Sequence, residues 1–336
     1  MSSIPVIDIS TWTGPGASSS QQETTARLLR EASHEPGFCQ VVGHGVDPAL
    51  SERLLELSTK FFALPTPSKQ ALLISNSPAF RGYTKLGNEL TQGVSDVREQ
   101  IAFGYDDPVK IKLDDPPWQR LRGANQWPAD LPELQTVAQE WLDAMGPMAA
   151  SVCRALAVSL GQPLAALDHV FTPRPDPYVK LVRYPAVAPG SSDQGVGLHH
   201  DSGLLTFILA NDVPGLEVQI DGQIVPVEPR KDAFVMNLGE MMQTASDGYF
   251  QATKHRVSSP PQGPDRISIA YFFNPRYESV FTAFELPADV AAMAPGGAGK
   301  DTNGDDLHAT FGDNNLKTRL RSHPDVAERF YTDLHE

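Results

Sequence analysis

The chain has 336 residues, enough for one large domain or two small ones with a sizeable buried core. Its net charge of −14, from 27 basic and 41 acidic residues without long single-sign blocks, argues against a nucleic-acid groove or an anionic membrane surface. Two cysteines make neither a disulfide framework nor a zinc cluster, and the sequence shows no signal peptide or membrane-length apolar run. We expect a monomeric, cytoplasmic protein that binds neither nucleic acid nor membranes.

The N-terminal third predicts short strands and helices in alternation. Residues 4–9 and 38–42 form apolar runs typical of strands, and Pro36-Gly37 ends a helical pattern between them. A second helix is predicted to begin at Asp47, followed directly by a proline. Residues 75–132 are rich in turn-forming residue types. A long irregular segment of this kind in a compact domain indicates that it lines a site.

A long helix is predicted from residue 134 to about residue 160, and the periodicity then becomes that of strands. Helices followed by a cluster of short strands predict an α+β fold whose sheet closes into a double-sheet jelly roll. The organisation we predict is an N-terminal region, 1–135, and a second region, 136–336. The second contains the linking helix, a jelly-roll core at about 176–280 and a C-terminal helix after a Gly- and Ala-rich loop at 292–304. The predicted strands are residues 179–184, 204–209, 216–220, 233–238 and 267–273.

The stretch from residue 197 to residue 207 is a strand pattern that contains three side chains able to bind a metal. His199 and Asp201 are two residues apart, so both would point to one face of a strand. His255 follows on another apparent strand. Two histidines and one carboxylate are the set that holds Fe(II) and leaves coordination positions open. His200 would point to the other side of the strand, as a residue of the pocket wall at best.

Arg266 and Ser268 lie on one face of the next apparent strand. A guanidinium group can grip a carboxylate through two hydrogen bonds, and a hydroxyl can add a third. The alternative for Arg266 is a surface ion pair. The other histidines have no ligand partners at useful spacing and are expected to be ordinary surface or hydrogen-bonded residues: His34, His44, His169, His308, His323 and His335.

With these motifs the chain resembles the isopenicillin N synthase-like branch of the Fe(II)/2-oxoglutarate-dependent dioxygenases, nearly from end to end. The resemblance implies Fe(II) held by His199, Asp201 and His255, 2-oxoglutarate and O2 as co-substrates, and ascorbate as a candidate reductant. It also implies that Arg266, Ser268 and Tyr184 bind the distal carboxylate of 2-oxoglutarate. The resemblance also rests on residues 4–8, 37–46, 81–83, 125–128 and 183–185.

The activity implied by the resemblance is hydroxylation or desaturation of a small organic metabolite with release of succinate and CO2. Isopenicillin N synthase has a substrate-binding arginine three residues before the tyrosine of its Gly-Tyr pair, where this chain has Phe80. This departure argues against a peptide substrate bound in the same way. Two alternatives stay open: an iron oxidase that does not use 2-oxoglutarate, and a non-catalytic metal-binding jelly roll.

We predict a substrate pocket for a largely apolar metabolite. The segment around residue 80 and the stretch 94–103 would cover the mouth of the barrel, and an aromatic residue near the end of the strand with Ser268 would pack against the substrate. Arg183 belongs either to this pocket or to a structural ion pair. The predicted pocket residues are Phe80, Arg81, Tyr83, Thr84, Arg183 and Phe273.

Overall fold

The computed structural model of the protein describes residues 4–107, 110–112, 114–296, 299 and 304–334. Two helices begin after a residue whose side chain accepts a hydrogen bond from a free backbone amide. Ser18 and Gln21 form a reciprocal capping box at the start of the helix Ser19–His34, and Asp47 caps the helix Pro48–Phe62 by accepting from the Ala49 amide. The helices are α1 (Ser10–Thr13), α2 (Ser19–His34), α3 (Pro48–Phe62), α4 (Thr66–Gln70), α5 (Glu133–Ser159), α6 (Asp168–Phe171), α7 (Glu240–Ala245), α8 (Ala288–Ala291), α9 (Phe311–Ser322) and α10 (Pro324–Phe330), with 3₁₀ turns at Ile74–Asn76, Pro117–Leu121 and Thr332–Leu334.

The strands form two main sheets and one small hairpin. The strands are β1 (Val6–Asp8), β2 (Phe38–Val42), β3 (Gly82–Thr84), β4 (Leu90–Thr91), β5 (Val94–Ser95), β6 (Glu99–Phe103), β7 (Tyr178–Tyr184), β8 (Gln194–His199), β9 (Leu205–Ala210), β10 (Leu216–Ile220), β11 (Gln223–Pro226), β12 (Phe234–Leu238), β13 (His255–Ser258) and β14 (Arg266–Phe273). An eight-stranded sheet has the order β1-β2-β12-β9-β14-β7-β6-β3, and a four-stranded sheet has the order β11-β10-β13-β8.

The two sheets pack face to face, which confirms the predicted α+β jelly roll. Apolar side chains from both sheets form the cluster between them, for example Val182 and Tyr184 on β7 with Val196 on β8 and Val257 on β13. A larger apolar cluster includes residues of α3 and α5 and side chains of β7, β9 and β14. The long helix α5 contributes a continuous buried stripe, so it supports the large sheet.

All five strand runs predicted after Tyr178 are confirmed to within a residue or two. The irregular segment 75–132 is partly different, because β3 and β6 within it extend the large sheet. Strand β6 was hidden because Glu99 and Gln100 are polar although every residue of the strand is buried. The C-terminal helix is interrupted at His323 because Pro324 cannot continue the hydrogen-bonding pattern of α9. Part of the predicted loop 292–304 lies outside the described residues.

Among the described residues, none of the helices combines the length and apolarity that crossing a bilayer requires.

Candidate active site

His199, Asp201 and His255 come together at the end of the four-stranded sheet. His199 ends β8 and pairs directly with His255, the first residue of β13. Asp201 follows β8, so the expectation that it lies on the same strand as His199 is wrong. Its backbone carbonyl accepts from the Glu240 amide of α7, and this contact fixes the loop. One potential ligand atom from each side chain lies within 4.8 Å of the other two.

Hydrogen bonds orient all three side chains of this triad. The Nδ1 atoms of His199 and His255 lie 2.8 Å and 3.1 Å from the backbone carbonyls of Gly197 and Thr253. A carbonyl only accepts, so each Nδ1 carries the proton and each Nε2 keeps its lone pair. These Nε2 atoms lie 3.7 Å and 3.8 Å from the carboxylate oxygens of Asp201. Burial, with the neighbouring His255, lowers the pKa of His199, which favours the neutral, metal-binding form.

The carboxylate of Asp201 accepts hydrogen bonds from two buried side chains. Asn237 on β12 donates to Asp201 Oδ2 at 2.7 Å, and the Thr206 hydroxyl on β9 donates to the same oxygen at 2.5 Å. Asp201 is itself 6% exposed, so these partners replace the water that an exposed carboxylate would bind. These two hydrogen bonds therefore hold the Asp201 carboxylate in one orientation.

The structure brings Arg266, Ser268 and Tyr184 together on one face of the large sheet. Arg266 pairs with Tyr184 across β14 and β7, and Ser268 lies two residues further along β14. All three are buried, and the Arg266 guanidinium carbon lies 5.1 Å from the centre of the Tyr184 ring. Within the described residues, Arg266 Nε and Nη1 have no hydrogen-bond partner. The alternative of a surface ion pair for Arg266 is therefore wrong.

A buried guanidinium with two unpartnered nitrogens is unfavourable unless an anion binds there. Burial lowers the pKa of Arg266 against the opposing effect of Tyr184. This environment fits the distal carboxylate of 2-oxoglutarate, and the triad fits a divalent metal.

A cavity of about 670 Å³ opens beside the triad. His199 and Asp201 line it, and so does His200, which agrees with its predicted place in the pocket wall. His200 Nδ1 lies 3.9 Å from Glu240 Oε1, away from the three-residue cluster. The sequence predicted a pocket for a largely apolar metabolite, but the lining contains six charged residues outside the triad, so the prediction of an apolar pocket is wrong. The charged residues of the lining outside the triad are Glu89, Arg98, Lys180, Glu240, Arg319 and Arg321.

The six predicted pocket residues lie outside the lining of this cavity. Phe273 is one residue out of register: it packs against Phe171, whereas its neighbour Phe272 lines the cavity. The even-numbered residues of β14, including Ser268, share the face toward the site, so strand alternation favours Phe272. Arg183 forms ion pairs with Glu99 and Asp265, which favours its structural alternative.

The other four predicted pocket residues support the cavity from behind. Phe80 and Thr84 are buried, and the Tyr83 hydroxyl donates to Glu99 at 2.6 Å. Arg81 is 3% exposed and stacks on Tyr178, with its guanidinium carbon 4.8 Å from the ring centre. These contacts fix the edge of the large sheet. These four side chains therefore lie outside the cavity lining, whereas the sequence prediction placed them in it.

Comparisons with known proteins show the family of the chain. A family model described as the N-terminal region of non-haem dioxygenases in morphine synthesis matches residues 4–130, and one for the 2OG-Fe(II) oxygenase superfamily matches residues 175–275. The 2-oxoglutarate-dependent dioxygenase frbJ of Dothideomycetidae sp. is 32% identical, over 98% of this chain and 92% of its own length. The chain belongs to the 2OG-Fe(II) oxygenase superfamily.

Other relatives agree with this membership. Homoarginine-6-hydroxylase 2-ODD-233 of Oryza sativa subsp. japonica is 30% identical, over 88% of this chain and 92% of its own length. The crystal structure of a full-length Neurospora crassa protein in complex with α-KG and thymine superposes with a TM-score of 0.75 at 25% identity, covering 94% of this chain and 97% of that one. The protein is a non-haem Fe(II)- and 2-oxoglutarate-dependent dioxygenase of a small molecule, as predicted.

None of the four cationic residues that line the dioxygenase's cavity is in the predicted set of pocket residues, although Arg98 lies in the stretch 94–103 that was predicted to cover the mouth of the barrel. Lys180 lies within the apolar run of β7 and has the same strand parity as Tyr184, and this signal would have found it. Arg319 lies on α9, far along the chain, and no local pattern links it to the triad. His323 also differs from its prediction: it is fully buried, and within the described residues neither of its ring nitrogens is hydrogen-bonded. His335 lies outside the described residues.

Proposed function

We propose that His199, Asp201 and His255 bind the Fe(II) of this dioxygenase. The observation that carries the proposal is the convergence of two unprotonated Nε2 atoms and one doubly anchored carboxylate within 4.8 Å. Three protein ligands on one side leave the remaining coordination positions open toward the cavity. His200 is not a ligand in this proposal, because it pairs with Glu240 in the cavity wall.

We further propose that Arg266, Ser268 and Tyr184 bind the distal carboxylate of 2-oxoglutarate. The support is the unpartnered Nε and Nη1 of a buried Arg266, beside a hydroxyl on the same strand face. A bidentate pair would satisfy both nitrogens and place the keto-acid end of the co-substrate toward the triad. Gly195 makes room for this arrangement, because a Cβ atom there would lie 2.7 Å from the Tyr184 ring.

When bound, Fe(II) supplies the activation of O2 that couples decarboxylation of 2-oxoglutarate to hydroxylation or desaturation of the substrate. The residues of the chain orient the three side chains of the triad. The Asn237 and Thr206 donors keep the Asp201 carboxylate in one orientation. The Nδ1 protons of the two histidines, held by backbone carbonyls, keep both rings in the metal-binding tautomer.

We propose a polar small molecule as the substrate, since the cavity lining is charged. The relatives' names mention homoarginine and thymine, both polar. We also propose a cytoplasmic monomer that binds neither nucleic acid nor membranes, with ascorbate as reductant. The chain's net charge of −14 supports only the part on nucleic acid and membranes, because both surfaces are anionic. The division into regions 1–135 and 136–336 stays a prediction.

Titration of 2-oxoglutarate into the anaerobic Fe(II) protein tests the co-substrate site. Arg266→Ala should weaken 2-oxoglutarate binding by about 2–5 kcal/mol, because a buried carboxylate would lose its charged partner. Iron binding should be retained. The readout is the metal-to-ligand absorption band of the bound keto acid, and Arg27→Ala, an exposed arginine on α2, is the control.

Unchanged 2-oxoglutarate affinity in Arg266→Ala would mean that other residues bind the distal carboxylate. For the metal, His199→Ala and His200→Ala are compared by iron titration. Loss of iron binding in His200→Ala, together with full binding in His199→Ala, would overturn the assignment of ligands.

A further inference from the structure

The cavity beside the triad carries an excess of positive charge in a strongly acidic protein. Among the described residues, its lining contains four cationic side chains, those of Arg98, Lys180, Arg319 and Arg321, and three carboxylates, those of Glu89, Glu240 and the triad residue Asp201. The whole chain has a net charge of −14. Cations concentrated in a concave site of an anionic protein raise the local concentration of anions and orient them.

Most of these cations already have an acidic partner. Glu89 is shared between Lys180 Nζ, at 2.8 Å, and Arg98 Nη2, at 3.1 Å. Arg98 also contacts Asp96 at 3.0 Å, and Arg321 pairs with Asp305 near the surface. Arg98 therefore has two carboxylate partners, Glu89 and Asp96, whereas Lys180 shares Glu89 with Arg98.

Arg319 is the exception. Its guanidinium carbon lies 3.5 Å from the centre of the Tyr178 ring, and its Nε lies 3.5 Å from Asn315 Oδ1, a long contact. In the described part of the chain Arg319 forms no salt bridge with a carboxylate. Arg81 packs against the same Tyr178 ring, so two guanidinium groups share one aromatic ring and neither neutralises the other.

Lys180 lies next to this arginine in the lining. Tyr178 and Lys180 are on the same face of β7, two residues apart. Burial, together with Arg98 and Arg319, outweighs the opposing effect of Glu89 and lowers the pKa of Lys180 to about 8. Burial therefore disfavours the charged ammonium form even beside Glu89, and an additional anion nearby would stabilise that form.

This pair of cations is separate from the proposed 2-oxoglutarate site. Arg266 pairs with Tyr184 at one end of β7, while Lys180 pairs with Ala270, four residues away along the strand. At roughly 3.3 Å per residue, this places the two anion-binding positions about 13 Å apart along the strand. One small dicarboxylate bound at Arg266 and the metal would leave Lys180 and Arg319 unoccupied.

We propose that Arg319 and Lys180 bind a carboxylate of the organic substrate, so that the dioxygenase acts on a small organic acid. This inference rests on the proposed function of the triad and Arg266. The carboxylate lies against the α9 wall, and the carbon to be oxidised extends toward His199 and Asp201, which line the same cavity.

Paired ligands test the charge requirement directly. Phenylacetate, hexanoate and N-acetyl-leucine are each compared with their primary amides, which match them in shape but lack the charge. Binding to the anaerobic protein loaded with Fe(II) and 2-oxoglutarate is measured by calorimetry, and succinate release is measured under O2. We expect at least one acid to bind and to stimulate succinate release about 10- to 100-fold better than its amide.

Variants of Arg319 assign the charge to this residue. Arg319→Gln should weaken binding of the preferred acid about 10- to 100-fold while changing binding of its amide much less. Arg319→Lys keeps the charge and should restore part of the affinity, which a purely structural role would not predict. Arg27→Gln is the matched control. Thermal unfolding identifies any variant that fails to fold. If Arg319→Gln fails to fold, Lys180→Gln is tested in its place.

The outcomes separate the two levels of the proposal. No response to any of the three acids, equal stimulation by acids and amides, or equal loss of acid and amide binding in Arg319→Gln would overturn the organic-acid site alone. Absence of any 2-oxoglutarate-dependent succinate formation by the wild-type protein would overturn the proposed function itself.

Discussion

At the scale of single residues, the site depends on hydrogen bonds that hold charged groups in one orientation. The Asp201 carboxylate is fixed by Asn237 and Thr206, and both partners are buried. The histidine rings are fixed by backbone carbonyls. Such partners of metal ligands determine affinity because they remove the cost of ordering the ligands on binding.

Asn237→Ala should weaken metal binding about 10- to 100-fold, because one of the two donors to Asp201 Oδ2 is lost. The measurement is an anaerobic titration with Fe(II), or with Mn(II) as a redox-stable substitute. Asn211→Ala is the control, since Asn211 donates to the Asp265 carbonyl instead. Equal metal affinity in Asn237→Ala and the wild type would mean that Thr206 alone fixes the carboxylate.

At the scale of elements, helix α9 forms part of the cavity wall and depends on a close approach to the chain beneath it. A Cβ atom on Gly312 would lie 2.5 Å from the Trp118 ring and 2.8 Å from the Tyr277 carbonyl. The Gly312 amide donates to that carbonyl at 2.7 Å. Only glycine permits this contact, and Arg319 is positioned two turns further along the helix.

Gly312→Ala should therefore displace the start of α9 and destabilise the protein by about 1–3 kcal/mol. The same displacement should weaken binding of the preferred organic acid more than binding of 2-oxoglutarate, because Arg266 lies on the sheet. Denaturant unfolding and calorimetry measure the two effects. Gly146→Ala in α5 is the control, since the nearest atom to its new methyl group would be the Tyr105 hydroxyl at 3.6 Å. Wild-type stability in Gly312→Ala would contradict this account of the packing.

At the scale of the whole molecule, α10 returns the end of the chain to the segment before β3. His323, between α9 and α10, is buried close to Phe80, and its Nε2 lies 3.6 Å from Glu89 Oε1. Burial lowers the pKa of His323 from 6.5 to about 3, although Glu89 opposes this shift. Folding therefore requires a neutral imidazole at this position.

Acid should destabilise the folded protein through His323. Between pH 6.5 and about 3 the unfolded chain binds a proton at His323 and the folded chain does not, so stability falls as the pH falls. The loss from this group should be on the order of 2 kcal/mol between pH 6.5 and about pH 4.5. His323→Gln cannot bind this proton and should decline less with acid. Parallel urea unfolding curves for the two proteins at each pH measure the difference; identical pH dependence would exclude His323 as a cause.

Local sequence patterns were sufficient to predict the jelly roll and to single out His199, Asp201 and His255, which the fold brings together, and Arg266 and Ser268, which lie on one face of β14. Strand periodicity and short motifs involve neighbouring residues only, so they can be recognised without the fold. Local alternation was also sufficient in principle for Phe272 and Lys180, which share strand parity with Ser268 and Tyr184. The position of Asp201 beyond the end of β8 was not predictable, because its loop is fixed by a contact with α7.

The character of the substrate cavity, in contrast, depends on contacts between distant parts of the chain. Arg319, Glu89 and Lys180 are far apart in sequence, and long-range packing of α9 and the β4–β5 segment brings them to one lining. The apolar pocket predicted from residues 80–84 and Phe273 was wrong because those side chains pack one layer behind the lining. Which faces of distant elements meet depends on the whole pattern of packing, and neither residue spacing nor periodicity carries that information.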